Sequence, residues 1–148
     1  MQRKTIHKDW LKSLGITNVT DDGRIFKGDI ELSQTCVVGK HKYGTNKYYK
    51  VISVYDPEYY KEQKEKKCKY CAGIRSLLVS RVVFAWKWGV CPGDRDVDHR
   101  NDDPFNNNVD NLQLLTRAEN LAKRKKTAAE IAKEYKLKRG HKKYGKRK

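Results

Sequence analysis

The sequence predicts an α+β protein: a small N-terminal antiparallel β-rich part, then a β-β-α unit, then a basic helical C-terminal arm. Three observations carry that expectation. Turn signals alternate with β-type runs between Ile16 and Tyr55. One apolar run, Ile74 to Trp88, is bracketed by Gly73 and Gly89 and holds most of the hydrophobic mass. Beyond it, a loop dense in Asn, Asp and Pro separates a short run ending at Asp98-His99 from a second run at 112–115, which leads into a helix-capping pattern.

Composition narrows the class. A chain of 148 residues suits one compact domain with an extension. Hydrophobic residues make up 37% and charged residues 35%, against roughly 45–50% and about 25% in ordinary globular chains. The core is therefore small, and part of the chain is expected to order only on a partner. A formal net charge of +16 attracts polyanions, with DNA or RNA as the leading partner. An anionic membrane surface is the weaker alternative, and no apolar run reaches the roughly 18 residues that span a bilayer. Met1 to His7 lacks the apolar run of a signal peptide, so the expected location is the cytosol, with the four cysteines reduced. From Leu121 onward 13 Lys/Arg stand against 2 Glu, so +11 of the net charge lies in the last fifth of the chain and +5 in the rest.

Taken in order, Ile6, Trp10 and Leu14 have helical spacing, and Gly15 would end that helix. Asp21-Asp22-Gly23 is a turn between Ile16–Val19 and Arg24–Phe26, which reads as a hairpin. Thr35–Val38 is a short β-type run, Lys40–Lys47 a polar connection, and Tyr48–Tyr55 a strand ending at Asp56-Pro57. The tyrosines and lysines here suit a surface lying along nucleic acid, with core aromatics and solvated lysines as the alternative. Glu58–Lys69 alternates charges and reads as an exposed helix turn or a linker. Cys68 and Cys71 can clip a Zn²⁺, but a structural zinc wants four ligands and Cys36 and Cys91 are isolated, so idle thiols are the expected state. The apolar run reads as a strand to Val79 and a helix from Arg81 to Trp88, capped by Ser80, with Val82, Val83, Ala85 and Trp86 facing the core. Cys91 to Asp94 is a turn. Thr116-Arg-Ala-Glu119 is a capping box, so a helix starts at Arg117 with Leu121 inward and Lys123, Arg124, Lys125 and Lys126 outward. Thr127 to Glu130 repeats the pattern and predicts a helix over 128–137, ended by Gly140 and followed by a basic tail.

The chemistry lies in the β-β-α unit. Hydrolysing a phosphodiester requires that a water lose its proton, that charge on the phosphate oxygens be stabilised, and that the leaving oxygen be stabilised. Histidine, with an unperturbed pKa of about 6.5, suits the first task, and a divalent metal on hard oxygen ligands suits the other two. His99 is the candidate base, Asp98 the candidate anionic ligand, and Asn120 a neutral oxygen ligand from the first helical turn. Adjacent strand residues point to opposite sides, so Asp98 and His99 can serve one phosphate only at a strand's end or on either flank of the substrate.

These residues resemble the signature of HNH endonucleases, the ββα-metal nucleases, and in particular the phage and intron-encoded HNH homing endonucleases. That signature runs Asp-His, an Asn-Asn loop, Asn-Leu, then Thr-x-x-Glu-Asn. Here its elements are Asp98-His99, Asn106-Asn107, Asn111-Leu112 and Thr116 to Asn120. The resemblance implies His99 as general base, and Asp98 and Asn120 as ligands of one Mg²⁺ or Mn²⁺. It implies that Asn111 braces the loop and orients the His99 ring, and that Arg117 lies near the scissile phosphate. With Asn120 in the last position the chain falls with the H-N-N variants. The implied partner is double-stranded DNA. The expected product is a nick with a 5′-phosphate and a 3′-hydroxyl, made by a monomer, with a dimer or two visits as the route to a double-strand cut. The implied setting is a phage-infected bacterial host. Arg100, Arg117, Lys123, Arg124, Lys125 and Lys126 are the expected phosphate contacts. The expected units are a β-rich DNA-contacting region over 1–73, the nuclease core over 74–126, and the basic arm over 127–148.

Weaker readings stand beside these. His7, His41 and His141 have no chemical context. Asn106, Asn107 and Asn108 are expected as turn formers, as is Asp110, and Asp102 and Asp103 as loop caps. At the level of function, the rivals are a non-catalytic basic nucleic-acid-binding protein and a nuclease subunit of a larger phage machine.

Overall fold

The computed structural model describes residues 6–40, 46–70, 72–89 and 92–123. The fold is α+β, built from three small antiparallel sheets and short helices around one apolar cluster. Helix α1 (Lys8–Ser13) is capped by His7, whose Nδ1 accepts from the Trp10 backbone N–H at 3.2 Å. Leu11 and Leu14 of this segment enter the core.

The predicted hairpin is present as β1 (Asn18–Val19) and β2 (Ile25–Lys27), joined through Asp21-Asp22-Gly23. A further strand, β3 (Ile30–Glu31), pairs with β2. It was not anticipated, because only two residues form it and both are exposed, so no apolar alternation announces it.

The second sheet has the order β4-β5-β6 and consists of β4 (Thr35–Lys40), β5 (Asn46–Tyr55) and β6 (Ile74–Leu78). The strands β4 and β5 extend into what the sequence suggested was a polar connection, because ladder hydrogen bonds form regardless of side-chain polarity. The charged stretch after β5 is a nine-residue helix, α2 (Pro57–Glu65), with no buried residue. Its first turn is fixed by Pro57 and by Asp56, whose Oδ1 accepts from the N–H groups of Glu58 and Tyr59 at 3.1 and 3.2 Å.

Asp56 is buried, and its Oδ2 lies 3.0 Å from Nε of Arg75 on β6. Neither atom makes an aligned hydrogen bond, so charge and position hold the pair. The Arg75 guanidinium also lies over the Tyr59 ring at 4.5 Å. Asp56→Ala removes a helix cap and leaves a half-buried cation unpaired, and is expected to cost about 3 kcal/mol. Urea unfolding measures this; a loss near 1 kcal/mol would mean that Asp56 acts as a cap alone.

Helix α3 (Val79–Trp88) runs directly out of β6 and forms the centre of the core. It starts two residues earlier than expected. Leu78 occupies the cap position without a side-chain hydrogen bond, and Ser80 is buried in the first turn, so Ser80 is not the N-cap. Burial of Val79, fully enclosed, fixes the strand-to-helix junction and overrides the capping preference. Val82, Val83, Phe84 and Ala85 are buried and Trp86 packs against the cluster from its edge. Gly89 ends the helix in the left-handed conformation that glycine adopts freely.

The third sheet pairs β7 (Asp96–His99) with β8 (Leu112–Leu115). Helix α4 follows from 117 to the last described residue of that segment, 123. Val109 and Leu112 enter the same apolar cluster as the N-terminal Leu11, Ile16 and Ile25, so the β-β-α unit and the first hairpin share a core. The expected helix over 128–137, Gly140 and the basic tail lie outside the described residues. No helix among the described residues is long and apolar enough to cross a membrane.

Candidate active site

Antiparallel pairing sets Asp98 opposite Gln113 and His99 opposite Leu112. The two-residue period of β7 puts Asp96 and Asp98 on one face and directs His99 to the other. His99 ends the strand, and the chain turns at once: Asp102, at φ 60°, donates its N–H to the His99 carbonyl at 3.1 Å.

Helix α4 is positioned by the predicted capping box. The Thr116 N–H donates to Glu119 Oε2 at 2.7 Å, and the Glu119 N–H donates to Thr116 Oγ1 at 3.3 Å. The hydrogen bonds with Thr116 hold the Glu119 carboxyl below its ordinary pKa. The box therefore stabilises the helix above that ordinary value and is lost as pH falls through the lowered one.

So placed, α4 turns Asn120 and Lys123, one helical turn apart, onto the aspartate face of β7. Asn120 is buried, and its Nδ2 donates to Asp96 Oδ2 at 2.7 Å. Lys123 Nζ donates to Asp98 Oδ2 at 2.6 Å, to the His99 carbonyl at 2.7 Å and to Asp102 Oδ1 at 2.8 Å. Two expectations for this helix are corrected. Leu121 does not pack inward but is 48% exposed, and Lys123 does not face out. The acidic strand face draws the polar side of the helix toward it. Burial alone would lower the Lys123 pKa, but the hydrogen bonds to Asp102 and Asp98 and their charges outweigh it and hold the ammonium above its usual value.

On the other side of the strand end, His99 Nε2 lies 2.8 Å from Asn107 Oδ1. An amide oxygen only accepts, so Nε2 is the donor in this contact and Nδ1 is the ring nitrogen left to a second partner. Asn111 braces the loop: its Nδ2 donates to Asn101 Oδ1 at 2.9 Å and to the Asn106 carbonyl at 2.8 Å, and its Oδ1 accepts from the Asn101 N–H at 3.1 Å. The resemblance implies that Asn111 orients the His99 ring; the side chain that touches the ring is that of Asn107. Asn106 and Asn108 do form Asx turns, accepting from the N–H two residues on at 3.3 and 3.0 Å, as do Asn101 and Asp103. Asn107, in the middle of the run, is buried instead. Nothing in the sequence separates it from its neighbours; only the resulting backbone path does.

Two further groups escaped the sequence reading. Gln113 Nε2 donates to Asp98 Oδ2 at 2.8 Å, a contact that depends on strand register. Asp96 shares the face of Asp98, which strand alternation already implied. Arg100 and Arg117 are exposed beside the site. Arg124, Lys125 and Lys126 lie outside the described residues.

The donor set fits a hard cation. Both donors to Asp98 fall on Oδ2, and Asn120 is tied through Nδ2. Among the described residues, Oδ1 of each takes no hydrogen bond and is left to a ligand. No group of three His, Cys, Asp or Glu side chains is placed to hold a metal among the described residues, so a cation here would keep part of its water shell. For the zinc alternative, Cys36 is exposed and Cys68 half-buried, both as free thiols, and Cys71 and Cys91 lie outside the described residues.

The β-β-α unit thus carries Asp98 and His99 at the end of its first strand and Asn120 in its helix. Residues 77–122 match the family described as HNH endonuclease. The chain is also similar to the solved structure of the HNH homing endonuclease I-HmuI, described as DNA binding and cleavage by that enzyme. The two share 21% identity, with 78% of this chain and 59% of that chain covered, at a TM-score of 0.46. The chain thus spans less than two thirds of that enzyme's length. No curated protein gives a significant match.

Proposed function

We propose that the chain is a metal-dependent DNA endonuclease that hydrolyses phosphodiester bonds and nicks one strand of a duplex. The observation that carries this reading is the strand end itself. His99 offers a ring nitrogen on one side of β7, while Asp98 and Asn120 offer oxygens on the other, inside the segment that matches the HNH family. His99 accepts a proton from water at Nδ1, because Asn107 holds the proton already on Nε2. Asp98 and Asn120 are the residues that would hold Mg²⁺ or Mn²⁺, which when bound supplies positive charge to the phosphate and to the leaving oxygen. Asn111 keeps the loop between the two strands closed. Arg100 and Arg117, both exposed next to the strand end, orient the DNA backbone through phosphate contacts that carry no base information. One site per chain leaves a monomer with one cut per visit.

Supercoiled plasmid incubated with the protein and Mg²⁺ or Mn²⁺ is expected to convert to the nicked circle, and EDTA is expected to stop it. Protein that retards DNA in a gel but cuts with no divalent metal would leave only a binding role.

A further inference from the structure

We infer that the tip of the first hairpin, nearly eighty residues upstream of His99, positions the catalytic ring through Asn107. This rests on the nuclease reading, with Asn107 and Gly23 as positioning residues.

Asn107 is 4% exposed and is joined to His99 Nε2 at 2.8 Å, whereas Asn106 and Asn108 spend their side chains on local turns. Its placement is backed from outside the loop. Gly23 sits in the hairpin turn at φ 90°, and a Cβ there would lie 3.0 Å from the Asn107 Cβ and 3.1 Å from the Asn107 carbonyl oxygen. The bare glycine is therefore in van der Waals contact with the residue that touches the histidine. Two residues further on, the loop is hung on the same turn, because the Val109 N–H donates to the Asp21 carbonyl at 2.8 Å. The turn is held from its other side by Gln34, whose Nε2 donates to the Gly23 carbonyl at 2.6 Å. Asp21 also pairs with Lys87 of α3 at 2.7 Å, an exposed contact that adds little. Val109 is buried in the shared core, so the loop cannot slide along the turn without emptying a packed position.

The consequence is chemical as well as mechanical. An acceptor on Nε2 favours one tautomer of the neutral ring and leaves Nδ1 open to a second partner. A displaced Asn107 lets the ring rotate and exchange tautomers, so that it is held in the working orientation less of the time. DNA affinity, which comes from exposed cations, would not change.

The test uses the full chain with long-range ¹H–¹⁵N spectra of the His99 imidazole, single-turnover plasmid nicking, gel-shift affinity and thermal melting. Wild type is expected to show one tautomer, with the proton on Nε2. Asn107→Leu keeps the volume, removes the acceptor, and is expected to mix the tautomers and slow nicking roughly 10–100-fold at unchanged DNA affinity. Asn107→Asp keeps an acceptor oxygen and is expected to restore the single tautomer and most of the rate. Gly23→Ala is expected to give the same spectral change with a smaller loss of rate. Its control is Gly28→Ala in the same hairpin, where φ is also positive, at 62°, but a Cβ would meet nothing within 4 Å. That variant carries the backbone strain alone and is expected to leave spectrum and rate as in wild type. An unchanged spectrum and rate in Asn107→Leu, or equal effects from the two glycine variants, would overturn the proposal. Should Asn107→Leu not fold, Asn107→Asp and the glycine pair decide it. A protein that binds DNA and never cuts would refute the nuclease reading, while the spectra would still report on the positioning.

Discussion

His99→Ala is expected to slow plasmid nicking by roughly 10²–10⁴-fold, the usual loss when a general base is removed, with DNA affinity and melting temperature unchanged. The separation between chemistry and folding follows from how His99 is held. Its backbone does structural work: it pairs with Leu112 across the sheet, and its carbonyl accepts from Asp102 and Lys123. Those bonds survive any side-chain substitution. The ring makes one hydrogen bond among the described residues, to Asn107, and the residue is only half-buried, so truncation leaves a small, partly hydrated gap. Single-turnover nicking, gel shift and thermal melting on the same preparation separate the two effects. Nicking at the wild-type rate would remove His99 from the mechanism. Slow nicking with a melting temperature several degrees lower would point to a folding defect instead.

What could be read from the sequence, and what could not, divides by the range of the interaction. The capping box at Thr116 and Glu119, the hairpin turn at Asp21 to Gly23, and the Asx turns of Asn106 and Asn108 all appear where the sequence put them. Each is a contact within three residues, and its chemistry is written in neighbouring side chains. The faces of Asp98, His99 and Asn120 were likewise readable, because spacing along one strand and one helix fixes them. The failures are contacts made at a distance. Asn107 cannot be told from Asn106 until Gly23 is packed against it. Lys123 seemed one of four equivalent cations, yet the acidic face of β7 selects it and leaves Leu121 in solvent. Ser80 is a better cap than Leu78 by local preference, and the burial of Val79 overrules it. The two-residue strand β3 has no pattern of its own and exists because β2 has a free edge.

The inward turn of Lys123 gives the second large effect, with opposite signs for two neighbouring substitutions. Its ammonium contacts Asp98 Oδ2, the carboxylate proposed to hold the metal, and so is a tethered cation competing for the same charge. Asp98→Ala is expected to weaken Mn²⁺ binding, read by calorimetry without DNA, by about 100-fold and to abolish measurable nicking, since it removes the one anion of the proposed ligand pair. Lys123→Ala is expected to tighten Mn²⁺ binding by roughly tenfold, because a unit charge about 4 Å away in a partly solvated site is worth on the order of 1–4 kcal/mol and the pair is not fully buried. The competition should not ease at mildly alkaline pH. The folded-state pKa of Lys123 is raised, so its ion pairing is fully present below the unfolded value of about 10.4 and is lost only as pH rises through the still higher folded value. Affinities measured at neutral pH and near pH 8.5 should therefore show the same ratio of Lys123→Ala to wild type. Weaker metal binding in Lys123→Ala would reverse the assignment, making Lys123 a brace that holds Asp98 and Asp102 in place for the cation. A ratio that collapses as pH rises would mean the ammonium is less firmly held than its three oxygen contacts require.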